Sequence, residues 1–296
     1  MSSKTLLRKN HFKDPVAYLL IAPFYLLFLY FIFIPAVEVV MYSFTDFNMF
    51  APKHFIGLQN YMKLLKDDVF LKSVKNTLIY LVCTIVPTMA LGMLTAVVMN
   101  IKWVRTKAAR TLVFTPYIVS MVAVSMVWML LYDPSHGILN RILQSLGMSP
   151  KEWLLDPKWA LFSIIMMSIW KGIGYNMIIF LAGLQGIPQD YYEAADVDGA
   201  GKWHQFLHIT IPSLAPATFF LFVTGIIASF NVFEQVNVMT AGGPVNSTTT
   251  VVHQIYLRAF TEFKMGYASA QSVVLLLGVV LITLINMKFG ASKHKA

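Results

Sequence analysis

The chain has 296 residues, of which 57% are hydrophobic and only 12% charged, against about 25% charged in soluble domains. That composition excludes a soluble globule, and the formal net charge of +9 reads as basic loops flanking membrane spans. Nucleic-acid binding would need a basic stripe interleaved with stacking aromatics, whereas the charges here are scattered across loops.

Six apolar runs are long enough to cross a hydrocarbon core, which takes about 20 helical residues: 16–42, 74–100, 111–132, 159–183, 215–239 and 267–289. The first is too long for a signal-peptide core and lacks a small-residue cleavage site, so it reads as a span. Pro35, Pro87 and Pro116 fall within or near spans, where neighbouring helices can satisfy the freed carbonyls. With no repeat or low-complexity linker, the expected fold is an all-α membrane domain of six transmembrane helices. Its expected parts are a cytoplasmic segment (1–14), a first helix with its outer loop (15–70), a core of five helices (71–290) and a cytoplasmic tail (291–296). Lys4, Arg8, Lys9 and Lys13, then Lys102, Arg105, Lys107 and Arg110, then Lys288, Lys293 and Lys295 fall on one side of six spans. The positive-inside rule makes that side, and both termini, cytoplasmic. Lys53, Lys63, Lys66 and Lys72 in the first outer loop run against the rule; the first span and the short second loop decide it.

The first outer loop, with Phe55, Tyr61 and a Leu64/Leu65 pair, reads as folded. In the second, Ile138, Leu139, Ile142, Leu143 and Leu146 form one apolar helical stripe, suited to lying along the membrane surface or capping the helices. Lys171 falls midway along the fourth span beside Gly172, Gly174, Tyr175 and Asn176. Glu234 falls in the fifth near Ser229 and Asn231. Ionisable groups at membrane depth either pair structurally or mark a solute path, and the small and polar neighbours of Lys171 favour the path.

Between the fourth and fifth spans lies a polar island, residues 190–212. Asp190 and Glu193 have capping-box spacing, predicting a short helix over 191–198 that ends at Gly199; a second helical stretch is expected over 202–209. Ala194 and Ala195 leave the first helix thin, and Glu193 and Asp198 charge its ends, as suits a docking element; Asp196 reads as a further helix-end charge. No phosphate-binding glycine loop is present, since Gly201-Lys202 is followed by Trp203, so any ATP must be handled by another subunit. His204 and His208 lack a third metal ligand nearby, Cys83 is the single cysteine, and no catalytic constellation is evident.

Glu193-Ala194-Ala195, three residues, Gly199, nine residues, then Ile209-Thr210-Ile211-Pro212 resembles the EAA loop of bacterial ABC importer permeases, departing from E-A-A-x3-G-x9-I-x-L-P only by Ile211 for leucine. Gly57-Leu58-Gln59-Asn60-Tyr61, Asn76-Thr77, Thr115-Pro116-Tyr117 and Met239-Thr240-Ala241-Gly242-Gly243-Pro244, with Ser247-Thr248, resemble the maltose- and glycerol-phosphate-type sugar permeases. The resemblance implies a type I ABC importer permease architecture in a bacterial plasma membrane and a heterodimer with a second homologous permease. It also implies two cytoplasmic ATPases that hold ATP and Mg, and an extracytoplasmic sugar-binding protein; this chain itself would hold no cofactor. Loop 188–212 would form the coupling element, through Glu193, Ala194, Ala195, Asp198, Gly199 and Ala200. Tyr117, Gly172, Tyr175 and Ser229 match family positions lining the sugar path, joined here by Lys171, Asn176, Asn231 and Glu234. Val232 stands where some members carry a polar sugar contact. A permease for a non-sugar solute and an ion-driven secondary transporter are the alternatives, a membrane enzyme the weakest.

Overall fold

The computed structural model describes residues 15–101 and 106–292. Segment 1–14 and the basic residues Lys4, Arg8, Lys9, Lys13, Lys102, Arg105, Lys293 and Lys295 lie outside them. In chain order, α1 (Pro15–Phe28) continues through a π-helical turn (Leu29–Phe33) into α2 (Ile34–Tyr42). Then come α3 (Gln59–Leu64), α4 (Asp68–Asn100), α5 (Lys107–Ile118), α6 (Met121–Leu131), α7 (Ile138–Ser145) and α8 (Ala160–Gln185). The rest is α9 (Gln189–Val197), α10 (Lys202–Gln205), a π-helical turn (Phe206–Thr210), α11 (Ile211–Ser213), α12 (Ala215–Phe230), α13 (Glu234–Met239), α14 (Val251–Tyr256), another π-helical turn (Leu257–Thr261) and α15 (Met265–Ser292). Extended pairing among the described residues is limited to one antiparallel bridge, Thr45 to Phe55.

Four continuous helices are long and apolar enough to cross a bilayer: Tyr18–Tyr42, Asp68–Asn100, Ala160–Gln185 and Met265–Asn286. Two more candidates are bent pairs: α5 meets α6 at 96°, and the α10–α11 stretch meets α12 at 60°. The run 111–132 is therefore broken rather than continuous. Val119 and Ser120 are extended, with ψ of 141° and 138°, and interrupt the hydrogen-bond ladder. The run 215–239 is broken too: α12 ends at Phe230 and α13 starts at Glu234. At the 60° bend, Pro212 and Pro216 lack the amide hydrogens that a straight helix would use.

α4 and α8 run parallel and form the centre of the bundle. Lipid tails are as apolar as leucine, so what holds such helices is close packing and not release from water. Glycines make that approach possible. A Cβ on Gly92 would overlap the Cβ of Asn176, one on Gly172 would come 2.8 Å from Thr88 Cγ2, and one on Gly174 would strike the backbone of Val113 and Phe114 in α5. Near the α7 end, Tyr132, Trp153, Ile164, Met167 and Val236 fill the core; near the α9 end, Ala96, Met177, Phe180, Leu184 and Leu214 do so. The apolar stripe of α7 is divided: Leu139 and Leu143 pack on the first of these clusters, whereas Ile138, Ile142 and Leu146 are exposed. The Tyr18–Tyr42 helix stands apart, with no buried residue along its apolar window, and its α2 portion leans on α15.

Side-chain hydrogen bonds knit the end that carries α3 and α14. Asn60 Nδ2 donates to the carbonyls of Ser43 and Thr45, both at 2.9 Å, and Tyr61 donates to Ser43 Oγ at 2.7 Å. Asn76 Nδ2 donates to the carbonyls of Asn246 and Thr249, tying α4 to the Gly242-Gly243-Pro244 loop. Asp67 has two roles. Its Oδ1 caps α4 by accepting from the amides of Val69 and Phe70, while its Oδ2 accepts from Tyr267 at 2.8 Å and from Arg258 at 3.4 Å. Partial burial works to raise the carboxyl's pKa. The Tyr267 hydroxyl, the two amides and the Arg258 guanidinium outweigh it and hold the pKa below the ordinary 3.8. A depressed carboxyl contributes stability above its unfolded pKa and loses it as pH falls through the folded one. In thermal melts Asp67→Asn should therefore unfold several degrees below wild type at pH 7, and the gap should close below about pH 4.

Candidate functional site

A cavity of about 450 Å³ lies between α4, α5, α8 and α12, beside the break between α5 and α6. Tyr117, Gly172, Tyr175, Asn176, Ser229, Asn231 and Glu234 all face it, and so does Val232, which is otherwise packed in the core. The rings of Tyr117 and Tyr175 stack at 4.8 Å between centroids and 18° between planes, which makes one aromatic platform. Asn176 Nδ2 donates to the Gly172 carbonyl and Asn231 Nδ2 to that of Ile227.

Lys171 is not part of this wall. It is 7% exposed, and its Nζ donates to the carbonyls of Pro116 at 3.0 Å, Tyr117 at 2.9 Å and Val119 at 2.6 Å. Those are the orphan acceptors left where α5 ends, and an ammonium is the natural donor for them. Gly174 likewise serves the α5–α8 contact and does not face the cavity.

Sequence reasoning missed one wall. Tyr80, Thr84 and Thr88 face the cavity from α4, with Ser168 and Gln235 opposite. Gln235 Nε2 donates to the Tyr80 hydroxyl at 3.1 Å, and the Thr84 and Thr88 hydroxyls are buried without a protein partner. The signal was present as three hydroxyls at i, i+4 and i+8 on one helical face. A threonine in a membrane helix ordinarily satisfies itself on its own backbone, as Thr95 does on the Leu91 carbonyl, so such a stripe is easily passed over.

At the far end of α8 the 188–212 loop forms a second candidate element. No capping box forms, because α9 begins at Gln189 after Pro188 and Glu193 instead accepts from Gln189 Nε2 at 2.8 Å. Proline preceding the first turn fixes the chain direction without a side-chain cap. The helix ends as the glycine predicts: Gly199 has φ +78°, with Gly199 N–H to Asp196 O and Ala200 N–H to Ala195 O. Glu193, Ala194, Asp198 and Gly199 are exposed and Ala195 and Ala200 half-buried, flanked by the exposed side chains of Tyr191, Val197 and Trp203. Asp196 is committed within the loop, accepting from Lys202 Nζ and from buried Gln205. The Lys202 hydrogen bond, then that of Gln205, holds the Asp196 carboxyl below its ordinary range. Tyr192 and Thr210 hydroxyls meet at 2.9 Å, fixing α9 onto the descending chain. His204 and His208 stack at 3.9 Å, and among the described residues no group of three potential ligands could hold a metal ion.

The chain has known counterparts. Residues 88–290 match the family model described as binding-protein-dependent transport system inner membrane component. The chain is 37% identical to the probable ABC transporter permease protein YurN of Bacillus subtilis, over 93% of this chain and 95% of that one. It is 36% identical to the sn-glycerol-3-phosphate transport system permease protein UgpA of Agrobacterium fabrum, over 92% and 93% of the two chains. Its fold matches, with a TM-score of 0.84 and 25% identity over 94% of this chain and 96% of that one, a chain in the crystal structure of a bacterial ABC transporter involved in the import of the acidic polysaccharide alginate. With its several membrane-spanning helices, the chain belongs to the binding-protein-dependent transport system inner membrane component family, as a permease of the ABC importer type.

Proposed function

We propose that this chain is one permease subunit of a carbohydrate importer. It pairs with a second homologous permease, receives its solute from an extracytoplasmic sugar-binding protein and is driven by two cytoplasmic ATPases that hold ATP and Mg. The observation that carries the reading is the cavity: a stacked tyrosine pair beside hydroxyl and amide groups at membrane depth. Aromatic faces stack on the C–H surfaces of a sugar ring, while a few hydrogen bonds fix its orientation. The names of the relatives point the same way, toward glycerol phosphate and a polysaccharide.

On this reading each bent pair is one span, giving six, and both termini are cytoplasmic. α9 is the coupling helix, with Glu193, Ala194, Ala195 and Gly199 seated against an ATPase. ATP-driven closure of the two ATPases draws the coupling helices together and rocks the spans, opening the cavity outward; hydrolysis reopens it inward. The break at 119–120, between the cavity-lining Tyr117 and Met121, borders the cavity and is suited to absorb that motion.

The test is solute uptake by the whole complex in vesicles. Carbohydrate uptake should require ATP, stop with vanadate and persist when ionophores collapse the ion gradients. Uptake that ignores vanadate and collapses with the ionophore would mark an ion-driven carrier, and ATP-driven import of an amino acid or inorganic ion alone would remove the sugar.

A further inference from the structure

The charge on the cavity wall narrows the substrate class, given the carbohydrate-import reading above. Among the described residues that line the cavity, Glu234 is the sole charged side chain. It is exposed and lines the cavity, and among the described residues neither an ion pair nor a side-chain hydrogen bond engages it. The one ammonium nearby, whose charge acts on Glu234, has no N–H left to offer an anion. Lys171 has three N–H groups, and the carbonyls of Pro116, Tyr117 and Val119 take all three. The rest of the wall offers neutral hydroxyls and amides, among them Thr84 and Thr88, whose buried oxygens have no protein partner.

A phosphate or carboxylate brought here would meet a carboxylate and no cation in the wall, and like charges repel. Vicinal sugar hydroxyls suit the same group well, because an ionised carboxylate accepts two of them at once and such charge-assisted bonds are the strong ones. We infer that this chain's wall takes an uncharged saccharide, holding a hydroxyl pair on Glu234, and turns away saccharides bearing phosphate or carboxylate. It would thus differ in substrate charge from the relatives named for sn-glycerol 3-phosphate and for the acidic polysaccharide alginate.

The experiment uses the complete complex, with its delivery protein, in proteoliposomes supplied with ATP. The probes are a mixture of neutral trisaccharides (maltotriose, xylotriose, raffinose) and acidic solutes (trigalacturonate, an alginate trimer, sn-glycerol 3-phosphate), with lumenal contents read by mass spectrometry. Neutral sugars should enter at least about tenfold faster than any acidic one. For the sugar that enters, Glu234→Gln should raise the uptake KM about fivefold while kcat changes less, with Glu234→Asp intermediate. Import of an acidic saccharide at a rate matching the neutral ones, or an unchanged KM in Glu234→Gln, overturns the inference while leaving carbohydrate import standing. ATP hydrolysis without import of any saccharide overturns the parent reading, and this one with it.

Discussion

Lys171→Met is expected to abolish transport and to destabilise the permease itself. The substitution keeps much of the stem's length but removes a cation that satisfies three backbone carbonyls where α5 breaks from α6. Hydrogen bonds to charged groups contribute about 1.5–3 kcal/mol each, and polar groups orphaned away from water are costly beyond that. The loss therefore falls on the 96° bend that brings Tyr117 over Tyr175. Uptake should drop by at least about a hundredfold, equivalent to roughly 2.7 kcal/mol, and the midpoint of detergent thermal melting should fall with it. Lys171→Arg, which keeps donors and charge, should retain the fold with part of the transport. Full uptake by Lys171→Met would mean that the bend holds without its clamp.

Glu193→Lys should separate folding from function. Glu193 is exposed, and within the chain it contacts only the neighbouring Gln189 amide among the described hydrogen bonds. The anchors of its helix lie elsewhere, at Asp196 with Gln205 and at Tyr192 with Thr210. Charge reversal should leave membrane insertion and thermal stability within experimental error, yet cut uptake by about a hundredfold or more and weaken ATPase co-purification. Wild-type uptake and co-purification in this variant would remove the coupling role from α9.

The sequence made the overall plan legible where chemistry is local. Run lengths located the membrane helices, and Gly199 announced the end of α9 because few other residues take a positive φ so readily. It was less informative where one segment is shaped by another. Nothing between residues 111 and 132 states that the helix breaks after Ile118, since the donor that satisfies the break sits more than fifty positions later, at Lys171. The same gap made Lys171 look like part of a solute path. The polar residues around Glu234 were conspicuous because acids are rare in spans, whereas Thr84 and Thr88 look unremarkable until their hydroxyls are seen to lack partners.

The Asn76 stitch has a mechanical corollary. α4 is a 33-residue rod, about 50 Å long, fastened by Asn76 and Thr77 to the 240–251 segment at one end and packed through Ala96 into the Leu214 cluster at the other. The 240–251 segment and the Leu214 neighbourhood are thereby joined through one continuous helix, with Pro87 within it and no loop between them.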